Sequence, residues 1–232
     1  MIYRIYFPLF FLIIFSNKFY SQVYIRWELD KKKESADITI YNDSKENIII
    51  PIDTLSLQAY FVDSNKISEE NWNGSYPFLA LTLNVYDSDT QNRIETYSST
   101  PYFDLSQFEK LKNKTDSIQN VHNSLLRKWQ RANNIQKDYI AQINYHLFKS
   151  LLFIKPKDKI EFSVNFNLLN VTNQENSIHD SYLLEKGKNY NSSLTLNIDT
   201  SVYNYLTKTQ KQKLKKYRLF TGVLEINKIT LQ

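Results

Sequence analysis

Apolar and polar residues alternate along most of this chain. In Ile25-Arg26-Trp27-Glu28-Leu29 the apolar side chains take every second position, the spacing of a half-buried strand. Ile38 and Ile40 continue the pattern. Ile48-Ile49-Ile50 is apolar throughout and closes at Pro51, which suits a strand end or a sheet edge. Leu55, Leu57, Ala59 and Phe61 alternate, as do Leu79, Leu81, Leu83 and Val85. The best such run extends from Ile160 to Leu168. Tyr182 to Leu184, Leu194 to Ile198 and Gly222 to Leu231 add further candidates. Eight or nine short strands with polar turns predict a mainly β protein, an antiparallel β-sandwich.

The middle of the chain follows a different period. Leu111, Thr115, Ile118, His122, Leu125 and Trp129 fall on one helix face. A polar break at Asn133-Asn134 follows, and Tyr139, Ile140, Ile143, Leu147 and Leu151 form a second stripe. This predicts an α-helical hairpin inserted at about 105–152, bracketed by Pro101 and Pro156, with Asp104 or Ser106 as its cap. A third short helix is expected from Thr207 to Tyr217.

The first 22 residues carry one early cation, Arg4, then an apolar stretch from Ile5 to Phe15, then polar residues to Ser21 and Gln22. That is the layout of a secretory signal peptide. The apolar stretch is 11 residues, against roughly 20 for a membrane-spanning helix, so no integral membrane segment is expected after its removal. The expected domains are a signal peptide at 1–22 and a single β-sandwich at 23–232. The expected location is outside the cytoplasm, in the periplasm or at the cell surface.

Composition removes several functions. Cysteine is absent, which excludes disulfides, thiol nucleophiles and cysteine-ligated metals. Only Gly74, Gly187 and Gly222 are glycines, too few for a phosphate-cradling loop. No cofactor is expected. Beyond residue 22 the chain has 27 basic and 24 acidic residues, a balance that gives no argument for nucleic acid.

The tail Phe19-Tyr20-Ser21-Gln22 resembles the signal-peptide ends of exported Bacteroidota proteins. The rise from Tyr41 through Asn42-Asp43-Ser44 into Ile48-Ile49-Ile50-Pro51 resembles the opening hairpin of bacterial exported immunoglobulin-like domains. The run from Leu152 through Pro156 to Phe162 resembles their proline turn and long strand. The resemblance implies an immunoglobulin-like architecture and leaves function open. Asp53-Thr54-Leu55 and Asp116-Ser117-Ile118 resemble the Asp-Ser/Thr-apolar acceptor pattern for O-glycosylation in that group.

Four places deserve weighing for chemistry. The stripe of Leu111, Ile118, Leu125 and Trp129 is a partner-binding face, or packs on the sheet. Trp72 and Tyr76, in an aromatic loop at 71–78, suit sugar recognition, or form a lid on the core. Lys208, Lys211 and Lys215 lie in a run with no acidic residue between Asp199 and Glu225, and suit contact with an anionic surface, or form a solvated helix face. Asp87-Ser88-Asp89-Thr90-Gln91-Asn92 starts like a calcium loop but has Asn92 and Ser98 where glycine and glutamate belong, so it reads as a turn. His122, His146 and His179 form no metal-binding pair, and no Gly-x-Ser-x-Gly elbow exists. The expected function is non-catalytic binding or assembly in the cell envelope, through a protein partner on the helical insertion. Carbohydrate binding at 71–78 is the alternative.

Overall fold

The computed structural model describes residues 23–60, 67–72, 74, 76–99, 108–172 and 179–231, without the side chains of Phe108, Leu111 and Glu225. The expected signal peptide, Phe61, Pro101 and the capping residues Asp104 and Ser106 lie outside them.

The protein is mainly β, with strands in several open sheets and a few helices. The first sheet orders β1 (Val23–Asp30), β2 (Ser35–Asn42) and β8 (Asp158–Asn165). The second holds β4 (Asp53–Ala59), β5 (Ala80–Asp87), β10 (Tyr190–Ile198) and β12 (Gly222–Glu225), with β13 (Ile229–Leu231) also on β10. A third joins β3 (Ile48–Pro51), β7 (Leu151–Ile154) and β11 (Arg218–Leu219). The small fourth pairs β6 (Tyr97–Ser99) with β9 (His179–Ser181). The helices are α1 (Phe108–Asn133), α2 (Asp138–Lys149) and α3 (Lys208–Leu214).

Pairing is not antiparallel throughout. β4 runs parallel to β5, and β11 parallel to β3. β4 meets β8 and β1 meets β12, so the first two sheets share one apolar core. Ile38, Ile40, Leu57, Leu81 and Leu83 are each at most 1 % exposed there. Ile160–Leu168 is not one strand, because β8 ends at Asn165 and Phe166 turns back, its N–H donating to Glu34 O at 2.8 Å. Tyr182–Leu184 follows β9 as a connection, and the Tyr182 hydroxyl donates to Leu83 O at 2.6 Å.

Two apolar runs change partners midway. The run 48–59 leaves the third sheet at Ile52, whose N–H donates to Ser150 O, and enters the second at Asp53, whose N–H donates to Leu79 O, both at 2.8 Å. The run 222–231 breaks at residues 226–228, between β12 and β13 on the same edge of β10. Trp27 Nε1 donates to the carbonyl of Asn227 at 3.0 Å, so the first sheet holds this break in place.

α1 ends in a left-handed residue, Asn134 with φ 52°, where most proteins place glycine. Ile135 N–H donates back to Gln130 O at 3.0 Å, which closes the last turn. Among the described residues no helix is long and apolar enough to cross a membrane.

Candidate functional site

α2 belongs to the core. Ile143 and Leu147 are 1 % exposed each, and Leu151 begins β7 immediately after the helix. Removal of 105–152 would therefore take core residues and part of a sheet with it. α1 is different. At 26 residues it is more than twice as long as α2, about 39 Å. Among the described residues its second half packs on the body through Leu126 (7 % exposed) and through Trp129, which packs on Tyr145 and Phe148.

The expected stripe on α1 is therefore split. Trp129 faces the body, and its Nε1 donates to Asn144 Oδ1 at 2.8 Å. Ile118, Val121 and Leu125 are exposed, at 60 %, 61 % and 46 %. Leu126, not Leu125, is the buried leucine. The Leu111 side chain lies outside the described residues.

A buried polar network fastens the helices together. Asn144 Nδ2 donates to Tyr205 O and to Gln210 Oε1, both at 2.7 Å. Gln210 Nε2 donates to Asn144 Oδ1 and to Asn133 Oδ1, both at 3.1 Å. Thr207 caps α3 reciprocally with Gln210: its N–H donates to Gln210 Oε1, and its Oγ1 accepts from Gln210 N–H. Lys208, Lys211 and Lys215 all point to solvent, with Leu206 and Leu214 as the buried anchors.

The aromatic loop closes over α2 instead of forming an open platform. Trp72 stacks on Phe78 (centroids 5.3 Å apart), meets the edge of His146 and donates Nε1–H to Gln142 Oε1 at 3.0 Å. Tyr76 packs edge-on to Phe78. Beneath the loop is a cavity of about 160 Å³. Asp53, Ser56, His146 and Ser150 line it together with Trp72 and Tyr76.

Two titratable groups in this cavity are perturbed. Burial, and secondarily the charge of His122, holds the His146 imidazole below its ordinary value. Burial pushes the Asp53 carboxyl up against the opposing pull of the Leu55 and Ser56 backbone N–H groups. His146 Nε2 is buried and makes no hydrogen bond. No side-chain-to-side-chain hydrogen bond joins Asp53, Ser56, His146 and Ser150 among the described residues, so they do not form a Ser-His-Asp relay.

A pH effect follows. An unfolded histidine takes up its proton near 6.5, and native His146 resists until lower pH. Its contribution to stability is complete above 6.5 and is lost as pH falls from there through the depressed native value. Asp53 has the opposite sign: its contribution is present below 3.8 and is lost as pH rises through its raised native value. His146→Phe should flatten the fall in urea midpoint as pH drops below about 6.5. An unchanged slope would mean that His146 ionises freely in the native protein.

Asp87 is a turn residue. Its Oδ1 accepts from Asp89 N, Thr90 N and Thr90 Oγ1, and the Thr90 backbone bond leads in holding its carboxyl below the usual range. No metal-holding cluster occurs among the described residues. Sequence reasoning passed over Asp53, Ser56 and Ser150 as site residues, and treated His146 only as one of three isolated histidines. Comparison with known protein families, curated proteins and solved structures finds no match.

Proposed function

We propose that this is an exported, non-catalytic binding or assembly protein of the cell envelope, and that α1 receives its protein partner. The observation that carries this reading is the exposed row of Ile118, Val121 and Leu125 on α1. The spacing i, i+3, i+7 makes a narrow seam, suited to one partner helix and too narrow for a bilayer.

Charge defines that partner further. Residues 108–149 carry eight basic and three acidic side chains, and 200–224 carry six basic and none acidic. The Asn133–Gln210 bond brings the cationic end of α1 beside α3. Lys110 and Lys128 are exposed on the same helix, and Lys208, Lys211 and Lys215 are exposed on α3 and its C-terminal cap as the anionic-surface contact. A second copy of α1 would bring like charges together, so the fitting partner is an acidic amphipathic helix. We read the two facing sheets as an immunoglobulin-like sandwich that carries this helix. An envelope location rests on the signal-like first 22 residues.

Two designed helical peptides test the proposal, each with a leucine seam, one flanked by glutamate and one by lysine. The glutamate peptide should bind in a salt-sensitive manner. Ile118→Asp with Leu125→Asp should weaken it about a hundredfold at unchanged melting temperature. Equal binding of the lysine peptide, or no effect of the double substitution, would sink the reading.

A second reading, carbohydrate binding at 71–78, is favoured by one observation. Trp72 and Tyr76 both line the cavity that holds the perturbed Asp53 and His146.

A further inference from the structure

We infer that the cavity beneath the 67–79 loop binds one small uncharged hydroxylated molecule, of the size of a single sugar ring or smaller. The inference rests on the carbohydrate reading of the loop and narrows it, from a glycan chain laid across exposed rings to one unit held inside.

Size sets the first limit. The cavity measures about 160 Å³. Cavities of roughly 150 Å³ accommodate benzene, so a molecule near that size is held inside, and any longer glycan would have to extend out of the mouth. The packing of Trp72 agrees. Phe78 covers one of its faces, His146 meets it edge-on and Gln142 takes its N–H, which leaves less ring surface for stacking. Trp72, Tyr76 and Phe78 serve as walls.

The lining atoms set the chemistry. Among the described residues no lysine or arginine lines the cavity, so none of them offers an anionic ligand a counter-charge. A cationic ligand gains most from an open aromatic face, and the Trp72–Phe78 stack covers one such face. A hydroxyl suits every polar group present. His146 Nε2 is buried without a partner, and a hydroxyl can donate to it or accept from it, whichever tautomer it holds. The Asp53 carboxylate receives Leu55 N–H on Oδ1 at 2.8 Å and has lone pairs left for a ligand O–H. Ser56 and Ser150 add hydroxyls on the same wall. Burial disfavours the charge on Asp53, and a donated ligand hydroxyl would return part of the lost solvation.

The test titrates full-length protein with glucose, galactose, N-acetylglucosamine, glycerol and methylammonium, and follows the Trp72 indole resonances, present in every variant, together with those of the His146 imidazole by NMR. At least one neutral probe should shift them saturably in the millimolar range. His146→Phe keeps the aromatic contacts and removes the nitrogen. Ser150→Leu fills the space. Each should weaken binding about tenfold or more, with the fold checked by circular dichroism. If either variant fails to fold, the other decides. Methylammonium binding in place of the neutral probes would overturn the inference. Retention of a longer glycan in a Trp72-dependent manner, with no small probe bound, would overturn it and leave the carbohydrate reading standing. If neither small probes nor longer glycans bind, both fail.

Discussion

Asn144→Ala is expected to lower the unfolding free energy by about 3–5 kcal/mol, read as a shift in urea midpoint. Asn144 is 0 % exposed and Gln210 4 %. Both primary amides are fully used, each with two bonds donated and two accepted. Truncation at 144 strands Trp129 Nε1, Tyr205 O and half of the Gln210 amide in a site without water access. The cost is that of buried groups left unpaired, which exceeds the worth of the bonds themselves. Asn120→Ala, on the exposed side of α1, should stay within about 0.5 kcal/mol. A loss below about 1 kcal/mol for Asn144→Ala would mean that the network is easily replaced.

The network also bears on binding. It joins Trp129 and Asn133 on α1 to Asn144 on α2 and Gln210 on α3. It therefore fixes the angle of α1 against the body and the direction in which its exposed apolar row faces. A seam held at one angle does not have to be ordered when the partner arrives, which lowers the entropic cost of association. The most buried polar residues of the helical region thus support its most exposed apolar ones.

How far the sequence revealed this arrangement differs from place to place. The strands and both long helices announce themselves through periodicity, and Asn133-Asn134 marks the turn between the helices. Periodicity says less where it runs on through a break. The apolar run 48–59 continues while the chain changes sheets at Ile52, because Ile48 to Ile52 are all buried, and the alternating Leu55 is left exposed before Leu57 and Ala59 return to the core. On α1 the best-fitting stripe selected Leu125, but among the described residues the body touches the second half of the helix. There Trp129 and Asn144 set the rotation, and Leu126 turns inward. The cavity left no local signal. Asp53 and His146 lie on β4 and α2, and only the loop that closes over them brings their surroundings together.

The second large effect is expected at Asn42. Asn42→Ala should cost about 3 kcal/mol, again by urea denaturation. This side chain is 0 % exposed and ends β2. Its Nδ2 reaches the carbonyls of Glu46 (2.8 Å), Lys155 (2.9 Å) and Ile154 (3.1 Å), and its Oδ1 accepts from Ser44 N and Ser44 Oγ. It thereby ties the turn that leads into β3 to the crossover by which the chain leaves β7 for β8. Its backbone adds to the tie, since Lys157 N–H donates to Asn42 O at 2.8 Å. Three variants separate the donors from the acceptor. Ser44→Ala removes one of the two partners of Oδ1 and the Ser44 Oγ bonds with Glu46, leaves the Nδ2 donors in place and should cost about 1 kcal/mol. Asn42→Asp keeps that acceptor, loses the donors and sets a carboxylate against three carbonyls, so it should cost more than Asn42→Ala at neutral pH. As pH falls and the carboxyl is protonated, that excess should shrink. If Asn42→Asp proves milder than Asn42→Ala at neutral pH, the amide donors are not what holds the crossover, and the Asn42–Ser44 turn alone carries the effect.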